Sequence, residues 1–183
     1  MTTQSPSNRI SRPLGATLVA ALAVATAQTA SAQEPMMARV RSSHSAIAAL
    51  ISEGRERSAT FRRLVQTIDA SDGIVYIEEG QCHHGVRACL VLSVTPAGPN
   101  RILRVIVDTR KADWDLMGSI GHEMRHAVEV LSDASVRSDS AVYFFYSRVA
   151  TSRGNTFETD AAVQAGLDVR AERRNHPAST RTH

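Results

Sequence analysis

Gly121-His122-Glu123-Met124-Arg125-His126 is the stretch from which the rest of the chain can be read. Residues four apart in a helix lie one turn along the axis and about 40° round it, so His122 and His126 present both imidazoles to one point in space. Glu123, beside the first histidine, is swung about 100° away. This is the H-E-x-x-H arrangement, in which two neutral imidazoles hold a metal ion, Zn²⁺ above all, and the carboxylate takes a proton from water that the ion activates. The spacing predicts a helix over residues 113–132. Leu116, Ile120, Met124, Ala127, Val128 and Leu131 recur along it as an apolar stripe, with the histidines, Ser119 and Glu129 on the opposite side. One face can enter a core while the other looks into a cleft. The competing reading is a surface helix with polar histidines and no metal, although nothing in helix packing asks for this spacing.

Upstream, three stretches have strand character: residues 74–78, the apolar run 89–95, and Arg-Ile-Leu-Arg-Val-Ile-Val-Asp at 101–108. Pro96-Ala97-Gly98-Pro99-Asn100 turns the chain between the last two, so a meander is expected. Before them, Ser58 can cap a helix over 58–69, in which Phe61, Leu64, Val65 and Ile68 share a face, and a shorter helix is expected over 43–54. Downstream, Val142, Phe145, Tyr146 and Val149 mark a helix over 138–150. A last helix, capped by Asn155 or Thr156, runs through Phe157 and Glu158 to about residue 173. The fold class expected is α+β: a small antiparallel or mixed sheet of about three strands, packed against the H-E-x-x-H helix and a following glutamate-bearing helix. It forms one domain over residues 43–174, after a lead-in arm at 33–42 and before a polar tail at 175–183.

The N-terminus has a different character. Arg9 and Arg12 precede an apolar, alanine-rich run at 14–27, no acidic residue occurs before Glu34, and Ala30-Ser31-Ala32 has the small-x-small form of a signal peptidase site. Residues 1–32 read as an export signal, the run being too short and too weakly apolar for a retained bilayer span. Cleavage removes both arginines from a formal net charge of only +3. The sequence lacks a basic run interleaved with aromatics and has only four Phe and three Tyr, so nucleic acid is not an expected partner. Cys82 and Cys89, the only cysteines, would pair in an oxidising compartment and pin what looks like a hairpin. A second metal site from these cysteines with His83 and His84 is the alternative, but closed zinc sites more often space their cysteines two to four residues apart.

Two histidines leave a tetrahedral ion two positions short; a catalytic site fills one with protein and one with water. Six residues after His126, where an elongated motif would place a third histidine, stands Ser132. Glu129 would extend a line of ligands along the helix rather than close a tetrahedron, so it is expected at most to support a ligand from behind, and Asp133 lies about 10 Å further along the axis than His126. Glu158 is better placed, since a second helix crossing the first can aim its carboxylate at the ion. A first-turn acid is also what the macrodipole favours in any helix. Asp160 is the next candidate, as a ligand or as acceptor of the N–H of a liganding imidazole.

With a distant helical Glu158 behind it, His122-Glu123-x-x-His126 resembles the zincin metallopeptidases of the gluzincin type, small single-domain members in particular, over about residues 74–166. The resemblance implies that His122, His126 and Glu158 hold Zn²⁺, that Glu123 is the general base, and that the strand at 101–108 lines the substrate cleft. Many members carry an aspartate four residues after the third ligand, where this chain has Ala162. Tyr143 and Tyr146 are the hydroxyls on offer for an oxyanion, with no role assigned. The expected protein is an exported, periplasmic or secreted zinc metallopeptidase acting on protein or peptide, with no membrane span after signal cleavage. The alternative is an exported zinc-binding or interaction domain without turnover. N-terminal sequencing of the exported protein should begin at Gln33; a start at Met1 would remove the signal-peptide reading.

Overall fold

The computed structural model describes residues 1–2, 38–82, 85–111, 114–153 and 156–175. The chain divides into Met1–Met36 and Met37–His183, and the elements named below belong to the second unit. Beyond Thr2, the expected export signal lies outside the described residues, as do residues 33–37 of the lead-in arm, His83, His84 and the tail past Asn175.

Alternation of side chains makes two strands the centre of the sheet. β2 (Gly73–Glu79) buries Gly73, Val75 and Ile77, and β5 (Asn100–Val107) buries Arg101, Leu103, Val105 and Val107. They pair in parallel, Gly73 opposite Arg101 through Glu79 opposite Val107, so their buried positions coincide. β1 (Val40–Arg41) adds in parallel to β2. β3 (Ala88–Leu90) and β4 (Thr95–Ala97) both pair antiparallel with β5, at opposite ends of it. The result is a mixed sheet of five strands in the order β1-β2-β5-β3, with β4 beside β5, rather than about three. The extra strands have two or three residues each, too few to show a period in the sequence.

Two expectations about these strands are corrected. The run 89–95 is not one strand: Asp139 accepts from Ser93 Oγ at 2.8 Å and from Val94 N–H at 3.2 Å, drawing this backbone out of the ladder between β3 and β4. The turn between β4 and β5 is as expected, with Gly98 at φ +59°. Cys82 and Cys89 do form a disulfide, with Cα atoms 6.0 Å apart. It does not pin a hairpin, because β5 lies between β2 and β3. The bond instead closes the loop that carries the chain past β5 to the sheet edge.

The described residues contain five α-helices: α1 (Ser45–Arg57), α2 (Ala59–Asp69), α3 (Trp114–Ser132), α4 (Asp139–Val149) and α5 (Asp160–Asn175). Ser58 caps α2 as its position predicts, accepting from Phe61 N–H at 2.9 Å, and Ser138 caps α4 in the same way. Glu172 of α5 adds a second tie to the start of α2, accepting from Thr60 N–H and Thr60 Oγ1, each at 2.9 Å. The whole predicted stripe of α3 is buried, together with Met117 and Val130, because the helix is wedged between the sheet and the helices α2 and α5. A short ribbon, β6 (Thr151–Arg153) with β7 (Thr156–Glu158), leads into α5.

Arg101 fastens the far end of α3. Its side chain is 1% exposed, and its guanidinium donates to the carbonyls of Val130, Leu131, Asp133 and Val136 at 2.7–3.2 Å. It also grips Asp72 with Nε and Nη2, the latter at 2.7 Å from Oδ1. The last carbonyls of a helix have no partner within it, so one buried cation meets several needs at once. Arg101→Met should therefore cost about 3 kcal/mol or more in urea unfolding, since it strips the buried Leu131 and Val136 carbonyls of this donor and leaves Asp72 with Arg137 alone, at 3.3 Å. The Arg101 hydrogen bond holds the Asp72 carboxyl below its ordinary value of 3.8. A depressed folded-state value means stability that is complete above the unfolded value and lost as pH falls through the folded one. The stability difference between wild type and Asp72→Asn should be flat at neutral pH and shrink only below about pH 4.

Candidate metal centre

The middle of α3 brings the two histidines together where α5 crosses it. That crossing is close because both helices have glycine there: a Cβ on Gly166 would lie 3.1 Å from both His122 Cβ and the Gly118 carbonyl oxygen. His126 is buried and His122 half-buried, their rings edge to face with centroids 4.9 Å apart. Ligand atoms of His122, Glu123 and His126 lie within 4.8 Å of one another, so this group could hold a metal ion.

Glu158 completes the picture from another segment. Its Oε1 stands 3.1 Å from His122 Nε2 and 3.5 Å from His126 Nε2. In a tetrahedral zinc site with bonds of 2.0–2.1 Å, neighbouring ligand atoms are about 3.3 Å apart, and the two distances from Glu158 to the imidazoles match that spacing. Glu123 is set further off, with Oε1 3.9 Å from His122 Nε2 and Oε2 accepting from Leu90 N–H at 2.7 Å. Of the two carboxylates, Glu158 stands nearer to His122 Nε2.

The expected setting of Glu158 is corrected. It is the last residue of β7, held opposite Thr151 in the ribbon, and not a first-turn residue of a helix. Thr159 is the cap, its Oγ1 accepting from Ala162 N–H at 3.1 Å, and α5 begins at Asp160. Thr156 belongs to β7 and is not that cap, Asn155 lies outside the described residues, and the macrodipole argument passes from Glu158 to Asp160. Thr-x-x-Ala ahead of a helical run was a usable sign of this boundary.

Asp160 is exposed, and the imidazole partner is Glu129 instead. Glu129 Oε2 lies 3.0 Å from His126 Nδ1, while its Oε1 accepts from Thr159 Oγ1 at 2.8 Å. One carboxylate thus ties the second histidine to the residue after Glu158. Spacing along α3 pointed to Glu129 as a near neighbour of His126, but the bond to Thr159 is visible only in three dimensions. Of the two tyrosines, Tyr146 is buried and donates to the His126 carbonyl at 2.8 Å, and Tyr143 is exposed.

Burial pushes the Glu123 carboxyl up to about 7, against the pull of His126 and the Leu90 N–H. Burial also lowers His122. At His126 burial acts in the same sense but is outweighed, because the Glu129 hydrogen bond and the surrounding carboxylates raise it. The centre opens into a cleft of about 910 Å³. Its sheet-side wall is the edge strand β3 and the residues after it, with Ile106 the contribution from β5. The expectation that 101–108 lines the cleft holds only at Ile106, because β5 is an interior strand, shielded by β3.

Comparison of the chain with protein families, with curated proteins and with solved structures gives no match. Its geometry alone carries the functional reading. Because Glu129 orients His126 and Asp160 does not, Glu129→Gln should weaken zinc binding about 10–100-fold in a chelator competition, and Asp160→Asn should leave it unchanged.

Proposed function

We propose that this protein is a zinc metallopeptidase of the zincin type with glutamate as its third ligand, exported and acting on proteins or peptides. The observation that carries the reading is the triangle of His122 Nε2, His126 Nε2 and Glu158 Oε1 with a separate buried carboxylate, Glu123, beside it. His122, His126 and Glu158 would hold the ion. Zinc at such a site supplies a Lewis acid that polarises a carbonyl oxygen and brings the pKa of water towards about 7.

The remaining work falls to the chain. Leu90 N–H anchors Glu123 through Oε2, leaving Oε1 on the His122 side to take a proton from the attacking water and deliver it to the leaving amine. Glu129 fixes the ring of His126 through Nδ1, which turns Nε2 towards the ligand triangle. The Leu90 N–H points away from β5 and is taken by Glu123, so the outer edge of β3 holds the base against the cleft.

Export rests on the charged-apolar-small order of residues 1–32. The Cys82–Cys89 disulfide is compatible with it, and among the described residues no helix is long and apolar enough to cross a membrane.

Glu123→Gln should keep about one zinc per chain while lowering turnover of a peptide library by 10²–10⁴, the effect of losing a general base. Glu158→Ala should instead weaken the metal itself. Zinc retained at wild-type affinity in Glu158→Ala would reject the third ligand. Zinc-replete wild type that cleaves nothing in a broad library would leave a metal-binding protein without turnover.

A further inference from the structure

Building on the peptidase reading, we propose that α5 forms a specificity surface in which Val163 and Leu167 seat a bulky apolar side chain of the substrate next to the scissile bond. Positions 163, 166, 167 and 170 follow i, i+3, i+4, i+7, so they form one stripe along the helix, and all four line the cleft. The stripe passes the metal centre at Gly166, where a Cβ would sit 3.1 Å from His122 Cβ. Val163 and Leu167 therefore lie within one helical turn of a proposed zinc ligand.

Both side chains are uncovered, at 40% and 49% exposure, whereas the other exposed residues of α5 are polar or alanine. Val86 and Leu92, at 48% and 38%, are exposed in the β3 region of the same cleft. Large apolar groups left open around one centre gain most from an apolar ligand. The stripe ends at Arg170, whose Nε lies 3.1 Å from Asp115 Oδ1, so its charge already has a partner. Among the described residues, the carboxylates lining the cleft are Glu123 and Glu158, both assigned to the centre. No acid is left there to pair with a lysine or arginine side chain of the substrate.

The test compares N-acetyl-leucine hydroxamate with N-acetyl-glycine hydroxamate by calorimetry on the zinc-loaded protein, alongside cleavage-site profiling of a peptide library. One methylene in an apolar pocket discriminates by about 10-fold or more, so the leucyl probe should bind at least that much tighter. Leu167→Glu and Val163→Asp change exposed positions and should preserve the thermal midpoint. Each should reduce the leucyl preference several-fold and shift the preferred library residue from apolar to basic. Equal binding of the two probes by wild type, or a preference that survives both substitutions, would overturn the proposal. Protein that holds zinc and discriminates between the probes but cleaves nothing would remove the peptidase reading and leave the apolar surface standing. Protein that binds neither zinc nor hydroxamate would overturn both.

Discussion

The guanidinium of Arg101 is the interaction on which the arrangement depends. It sits at the start of the central strand, is shut away from solvent, and spends its donors on four carbonyls at and beyond the end of α3 and on the Asp72 carboxylate. A buried cation is tolerated only when its hydrogen-bonding capacity is used, and here that requirement fixes the distance and angle between the sheet and the histidine helix. Asp72 immediately precedes β2, so the same contact also aligns the parallel pair β2–β5, in which Gly73 faces Arg101. A lysine could not replace this fork, having one nitrogen where Arg101 uses three.

From that anchored end, α3 runs through the core, and its middle becomes the candidate metal centre because α5 can come close. Glycine at 118 and 166 removes the side chains that would hold the helices apart. Glu129 then couples two segments that the chain places about thirty residues apart, touching His126 on one side and Thr159 on the other. Since Thr159 is both the cap of α5 and the neighbour of Glu158, the carboxylate opposite the histidines is placed by a hydrogen-bond chain and a short ribbon. Such support is what keeps ligand atoms at metal-binding separations before any ion arrives.

The cleft combines two kinds of surface. On the sheet side the wall is the outer edge of β3 and the residues after it. On the α5 side Val163 and Leu167 offer exposed apolar area. Cys82–Cys89 stands at the rim of the first surface and shortens the loop that leads to β3, so oxidation and the position of the strand edge are linked by covalent geometry.

The sequence by itself determined what local periodicity and local caps can encode. Ser58 and the Phe61–Leu64–Val65–Ile68 face defined α2, Ser138 defined the start of α4, and the stripe from Leu116 to Leu131 gave α3 its buried side and left the histidine pair on the other. The spacing of His122 and His126 followed from the helix itself. Only the tertiary structure decided which strand forms the sheet edge, because β2 and β5 pair in parallel across an intervening crossover that no local pattern announces. It likewise moved Glu158 from an expected helix to the end of a strand, and gave the imidazole to Glu129 instead of Asp160. A carboxylate's role depends on which imidazole or amide it meets, and those partners are brought together by packing between segments distant in the chain, about which the spacing of residues along one helix is silent.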